Sequence, residues 1–351
     1  MLSVASAPCR SVLASVLLTV AAVAMVACGS SGDSESASGA QRAVPVPVAP
    51  GTVEEPRLPV TVTDAEGRSV TIEDTSRIVA LSGNLAETVY ALGLGDDVVG
   101  RDISTTIEEA QDVPLVTRAH DVSAESVLSL EPTVVLADTN TGPPEALEHI
   151  RNVGVPVVTF EVTASVEGVS EQIERVGEAL GVPGTGAEVA ERTEAEIDAV
   201  ASDGATDSGA AAGGARDDAP LVAFLYMRGQ AGVYLIGGEG SGADSMIEAA
   251  GGRDAGTAIG LDQPFTPITS EALVKAAPDV ILMTTTGLES VGGVAGLVEI
   301  PGIAQTPAGR AGSVVTIEDG LLFGFGTRTP SAIEQIAEGF AAFSDTKAGR
   351  G

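Results

Sequence analysis

The chain has 351 residues, 44% of them hydrophobic, enough for two or three cored units and too apolar for a disordered chain. Its 18 basic and 49 acidic residues leave a formal charge of −31, which phosphate repels, so nucleic acid is excluded as a partner. Two cysteines (Cys9, Cys28) and two histidines (His120, His149) rule out a disulfide scaffold and a zinc ribbon, and neither Lys275 nor Lys347 lies in a P-loop.

Residues 1–27 read as a secretory signal, with Arg10 before the apolar stretch Ser11–Val26, which is short for a membrane span. It ends in Met25-Val26-Ala27-Cys28, similar to a bacterial lipobox with Met in place of the usual Leu, so Cys28 is the expected lipidation site. The Ser-, Gly- and Pro-rich residues 28–57 read as a flexible tether. The folded body starts near Leu58 with a β-hairpin, Val60–Asp74, turning at Gly67. Strands follow at Arg77–Leu81, Val98–Gly100, Thr133–Ala137 and Val155–Phe160, with helices at Leu85–Leu92, Ser126–Leu130 and Pro143–Val153. That alternation predicts a mainly parallel sheet covered on both faces. Val166–Leu180 carries an apolar stripe at helical spacing, and Ala187–Ala201 is a second strong helix within an interlobe segment set at 185–203. Residues 204–218 read as a flexible loop. A second α/β unit, 219–345, has strands at Leu221–Met227, Val233–Ile236, Asp279–Met283 and Val314–Ile317. Its helices are Ala243–Ala250, Ser270–Ala276 and Pro330–Ser344, and 346–351 form a tail. The expected architecture is two α/β lobes, 58–184 and 219–345, with mainly parallel sheets joined by one long helix.

Two patterns carry a family resemblance. Val-Thr-Asp-x-x-Gly-Arg-x-Val-Thr-Ile from Val62, then Arg77-Ile-Val-Ala-Leu-Ser82 and Ala86-Glu-Thr-Val-Tyr-Ala-Leu-Gly-Leu94, resemble the helical-backbone (class III) periplasmic binding proteins. Those serve ABC importers of vitamin B12, ferric siderophores, haem and some metals. The stretches His120–Pro144 and Ala223-Phe-Leu-Tyr-Met-Arg-Gly229 resemble the haem-binding lipoproteins of actinobacterial haem importers, the HmuT type. The resemblance implies a non-enzymatic receptor, anchored through Cys28 on the outer face of the cell membrane. Its cargo is haem b (hemin), passed to a permease dimer and its ATPase.

His120 lies in a loop between a strand and a helix, where open α/β sheets bind ligands. His149 belongs to the polar face of a helix. Tyr226 and Arg228 stand at i and i+2 of one strand and share a face. A cation beside a phenol favours the phenolate, and an anionic oxygen suits ferric iron. With the resemblance, His120 and Tyr226 are the expected axial ligands, one from each lobe, and Arg228 tunes the tyrosine. Tyr234, lacking an Arg two residues on, is the rival; Tyr90 lies within a helix and reads as packing. Asn84 and Arg328 are candidate partners for the propionates. The resemblance also implies paired glutamates docking on permease arginines, and equivalent first-helix placement selects Glu87 and Glu248. Gly237-Gly-Glu-Gly-Ser-Gly242 has G-x-G-x-G spacing rather than the dinucleotide fingerprint and reads as a tight turn. The alternatives are the same fold with a ferric siderophore or corrinoid, and a secreted α/β hydrolase. The hydrolase lacks a G-x-S-x-G elbow, and neither histidine is near the C-terminus. Two histidines also argue against a zinc or manganese receptor, and no metal other than haem iron is expected.

Overall fold

The computed structural model describes residues 44–48, 54–118, 121–207 and 219–348; the expected signal segment and Cys28 lie outside them. A two-stranded hairpin, β1 (Val60–Thr63) and β2 (Ser69–Ile72), precedes the first lobe, with Gly67 at φ 76° in its turn, a conformation that costs glycine nothing. The first lobe runs through β3 (Ile78–Ala80), α1 (Gly83–Ala91), β4 (Val98–Arg101), β5 (Thr117–Arg118), β6 (Asp121–Val122), α2 (Ala124–Leu128), β7 (Val134–Asp138), α3 (Pro144–Asn152), β8 (Val157–Phe160) and α4 (Val169–Ala179). Its main sheet has the order β4-β3-β7-β8 and is wholly parallel. Strand periodicity sends alternate side chains to opposite faces. Ile78, Val134, Leu136 and Val158 join one cluster with Leu85 and Val89 of α1 and Ile173 of α4. Val79, Val135 and Val157 join another with Leu147 and Ile150 of α3. Each such fully buried Val, Leu or Ile contributes about 1.5–3 kcal/mol.

The long helix α5 (Pro183–Asp207) starts on a proline, whose fixed φ and missing N–H suit a first helical position. Its 25 residues span roughly 37 Å. Val189, Ala190 and Ile197 are buried against the shared core, and α4 approaches so closely that a Cβ on Gly177 would lie 2.7 Å from Gly186 Cα.

The second lobe comprises β9 (Leu221–Arg228), β10 (Val233–Gly237), α6 (Ala243–Ala249), β11 (Arg253–Asp254), α7 (Ala255–Ala258), β12 (Phe265–Pro267), α8 (Ser270–Ala276), β13 (Val280–Thr284), α9 (Thr285–Ser290), α10 (Gly293–Leu297), α11 (Pro307–Ala311), β14 (Val314–Ile317), α12 (Asp319–Leu322) and α13 (Thr329–Ala348). Its sheet has the order β12-β10-β9-β13-β14, with β11 also on β9. β9, β13 and β14 are parallel, whereas β10 and β12 form an antiparallel edge, so this sheet is mixed. Val222, Phe224, Leu282 and Ile317 belong to the same cluster as the first lobe's Ile78 and Leu136, joined through α4, α5 and α13. The lobes therefore share a core.

Two expectations change. Residues 44–48 and 54–57 of the supposed tether pack on the body. Val46 is only 5% exposed, its N–H donates to Glu109, and Arg192 donates to the carbonyls of Pro47 and Val48. Glu54 accepts from Thr185 N–H in the first turn of α5, where free N–H groups await acceptors. The interlobe helix also outruns its expected 185–203, ending at Asp207.

Candidate functional site

β9 lies between β10 and β13, and its register decides which tyrosine can partner Arg228. Tyr226 pairs with Leu235, and Met227 pairs with Tyr234. Directly opposed residues share a face. Tyr234 therefore lies on the face opposite Tyr226 and Arg228, and is 37% exposed.

On the Tyr226 face the chain gathers four of its few aromatic rings. Phe265 and Phe323 stand 5.8 and 6.1 Å from the Tyr226 centroid at 59° and 69°. Buried Phe224 meets both of them edge-on, at 6.2 and 5.8 Å. Tilted pairs of this kind set the ring's negative face against a positive edge. The Arg228 guanidinium lies over the Tyr226 ring, 4.6 Å from its centroid, within cation–π range. Arg228 Nη2 donates to Asp319 Oδ1 at 2.6 Å, while Nη1 donates to Met227 O at 3.0 Å and Thr284 Oγ1 at 3.4 Å. The result is a half-buried phenol framed by apolar rings and one cation at the carboxyl end of a strand, the edge where open α/β sheets place ligands.

The first lobe presents its own carboxyl edge through Ser82, Asn84, Asp102 and Asp138. Ser82 Oγ donates to Asn84 Oδ1 at 2.6 Å. Burial raises the Asp138 carboxyl above its usual range, against the lowering by the Thr141 hydroxyl and Asn140 N–H. His120 lies outside the described residues. The hairpin strands flanking it, β5 and β6, are fixed to this edge: Val116 N–H donates to Arg101 O, Ile103 N–H to Thr117 Oγ1 at 3.1 Å, and Val122 N–H to Gly142 O. From the same edge Thr106 donates to Glu318 of the second lobe at 3.3 Å.

Two expected roles are corrected by burial. Glu87 is 1% exposed and cannot present a carboxylate to a permease. Its Oε2 accepts from Arg328 Nε at 2.7 Å, and its Oε1 accepts from Arg328 N at 2.8 Å and Thr327 Oγ1 at 3.2 Å. A Cβ on Gly326 would sit 2.6 Å from Glu87 Oε1, so the Gly-Phe-Gly segment wraps the carboxylate. Arg328, 7% exposed, is occupied by this ion pair between lobes and is not free for a propionate. Glu248 is exposed on α6; its own partial desolvation, then repulsion from Asp244, Asp254 and Glu167, raise its carboxyl. His149 is exposed on α3, and Tyr90 is half-buried, its hydroxyl donating to Glu109 O at 3.3 Å.

A different pair of acids is related by internal symmetry, and the sequence reading missed it. Ser123-Ala-Glu-Ser-Val-Leu and Thr269-Ser-Glu-Ala-Leu-Val lie 146 residues apart, and Pro132-Thr-Val-Val-Leu136 and Pro278-Asp-Val-Ile-Leu282 keep the same offset. Ser123 and Thr269 cap α2 and α8 by accepting from the N–H three residues on. Glu131 and Ala277 both turn through the left-handed region, at φ 48° and 43°. The repeat places exposed Glu125 and Glu271 in equivalent first turns of the two lobes. The repeated Glu-to-Pro spacing was the available signal.

A polar cavity of about 310 Å³ is built by β1, β8 and α4, none of which carries an expected site residue. Among the described residues no group of three or more His, Cys, Asp or Glu is arranged to hold a metal ion.

A family model for periplasmic binding proteins matches residues 78–321. A protein of Bacillus subtilis named as an uncharacterized ABC transporter substrate-binding lipoprotein, YvrC, is 26% identical over 327 residues, covering 92% of this chain and 94% of its own. A cobalamin-binding protein of Halobacterium salinarum is 27% identical over 299 residues, covering 82% and 75%. Among solved structures, the heme-binding protein HmuT superposes with a TM-score of 0.76 at 36% identity, covering 84% of this chain and 94% of that one. Variants of HmuT with a single arginine, tyrosine or histidine replaced by alanine superpose equally well.

Proposed function

We propose that this chain, which belongs to the periplasmic binding protein family and is a substrate-binding protein of the ABC-importer type, captures haem and delivers it to its importer. The observation that carries this reading is the Tyr226–Arg228 pair, stacked at 4.6 Å and framed by Phe265 and Phe323. A tyrosine oxygen suits hard ferric iron, Arg228 fixes a positive charge over the ring that carries it, and the aromatic frame offers the flat porphyrin an apolar bed. His120 supplies the second axial ligand from the other lobe, and Asn84 a polar partner at its edge. In HmuT, the tyrosine and arginine replaced in the solved variants stand two positions apart, as Tyr226 and Arg228 do here.

Docking on the permease is assigned to Glu125 and Glu271. They are exposed and share their place in the internal repeat, which suits a dimeric partner with two equivalent sites. Glu248 also stays available, without a mate, since Glu87 is buried. Cys28 anchors the chain to the outer face of the membrane.

A corrinoid is the second reading, because the Halobacterium relative is named for cobalamin. Titrating the purified chain separately with hemin and with cobalamin separates the two. The haem reading expects a saturable Soret change at one equivalent of hemin, with cobalamin unable to compete. Saturable cobalamin binding without a hemin response refutes it.

A further inference from the structure

Arg228 is held more firmly than its contact with Tyr226 requires. Its guanidinium donates to Asp319 Oδ1, Met227 O and Thr284 Oγ1. The Thr286 hydroxyl lies 2.8 and 2.7 Å from the two Asp319 oxygens, so it steadies the carboxylate on which Arg228 rests. Apart from Met227 O on β9 itself, these groups come from the carboxyl end of β13, the start of α9 and the start of α12. The turn that carries Asp319 is itself fixed. Glu318 accepts from the N–H groups of Gly320 and Leu321, at 2.9 and 2.8 Å. Thr106 of the other lobe donates to Glu318, and a Cβ on Gly320 would collide with Thr106.

We propose that Asp319, steadied by Thr286, is a positioning residue that holds the Arg228 guanidinium over the Tyr226 ring and sets how strongly the phenol binds its ligand. The second half of this statement rests on the haem reading. The first half concerns the protein alone.

Asp319 acts in two ways that oppose each other. As an acceptor at 2.6 Å it keeps the guanidinium against the ring, since an arginine with a side chain 33% exposed would otherwise sample solvent. As an anion it offsets part of the charge that Arg228 lends to a phenolate. Geometry is supplied by the oxygen and attenuation by the charge, and two substitutions separate them. Asp319→Asn keeps a side-chain oxygen for Nη2 and removes the charge. Asp319→Ala removes both, and Thr286→Val removes only the support. Neither Asp319 nor Thr286 is buried, so these variants should retain the fold, which circular dichroism checks.

The first readout is the ligand-free protein. With three tyrosines, the ring signals of Tyr226 are assigned by nuclear magnetic resonance through Tyr→Phe variants. Asp319→Ala should shift the Tyr226 ring signals, Thr286→Val should shift them less in the same direction, and Asp319→Asn should leave them near the wild-type position. The second readout is the hemin-loaded protein. Losing a hydrogen bond to a charged group should make Asp319→Ala release hemin about tenfold faster, with a weaker phenolate–iron Raman band. Asp319→Asn should keep that band or strengthen it. Unshifted Tyr226 signals in Asp319→Ala overturn the positioning role. Equal loss of the Raman band in the Asn and Ala variants overturns the division between oxygen and charge. If wild-type protein binds no hemin while Asp319→Ala still shifts the Tyr226 ring, the haem reading falls and the positioning role stands.

Discussion

Replacing Glu87 by alanine removes the acceptor of three hydrogen bonds and leaves the Arg328 guanidinium buried without its anion. The carboxylate and the guanidinium are 2% and 7% exposed, so water cannot replace the lost partner without opening the boundary between the lobes. Breaking a buried pair from one side costs about 3–5 kcal/mol, because an uncompensated charge stays inside. At roughly 2–4 °C per kcal/mol for two lobes melting as one shared-core body, thermal melting followed by circular dichroism should show a fall of about 6–20 °C. Glu87→Ala/Arg328→Met should recover much of that loss, since no unpaired charge remains, and a double-mutant cycle reads the coupling. An exposed docking glutamate would behave differently, with a cost within about 0.5 kcal/mol. A Glu87→Ala variant that melts within a degree of wild type refutes the buried pair and restores Glu87 as a surface group.

The other expectations concern pH, docking and anchoring. Asp254 is 3% exposed, caps α7 through Oδ2, and burial raises its carboxyl. The folded state therefore holds this proton to higher pH than the unfolded chain does, so the group's contribution is full at low pH and is lost as pH rises from the ordinary Asp value through the raised one. Asp254→Asn keeps the cap oxygen and should flatten that fall in urea melts between acid and neutral pH; an unchanged slope contradicts it. Glu125→Arg with Glu271→Arg should abolish stimulation of the importer's ATPase in proteoliposomes while hemin titration is unchanged, since reversing charge across a docking surface costs several kcal/mol; normal stimulation contradicts the assignment. Cys28→Ala should move the protein from the membrane to the soluble extracellular fraction on cell fractionation; wild-type protein found there without acylation contradicts the anchor.

The strands were legible because apolar runs such as Val134-Val-Leu-Ala137 and Val280-Ile-Leu-Met283 can only be buried on both faces. Tyr226 and Arg228 were legible as a pair because strand geometry fixes i and i+2 on one face. Their support was not, because Asp319 lies 91 residues from Arg228 and meets it only through sheet order. Glu87 misled for the same reason: on α1 alone it is the one charged residue beside polar Asn84 and Thr88, and its partner arrives from 241 residues away. Residues 44–48 read as part of the Ser-, Gly- and Pro-rich tether because the stretch has no periodicity. An alternating Val-Pro run has few conformations to lose, and Val46 finds an apolar seat while Arg192 takes the freed carbonyls. The short helices α9 to α11 gave no signal, since segments of five or six residues with glycines carry no readable period.

The central claim is that Tyr226 ligates ferric haem, and resonance Raman of the hemin complex tests it most directly. Wild type and Tyr234→Phe should both show a phenolate–iron band, and Tyr226→Phe should lose the band together with most of its hemin affinity. A band that persists in Tyr226→Phe and disappears in Tyr234→Phe would contradict the account.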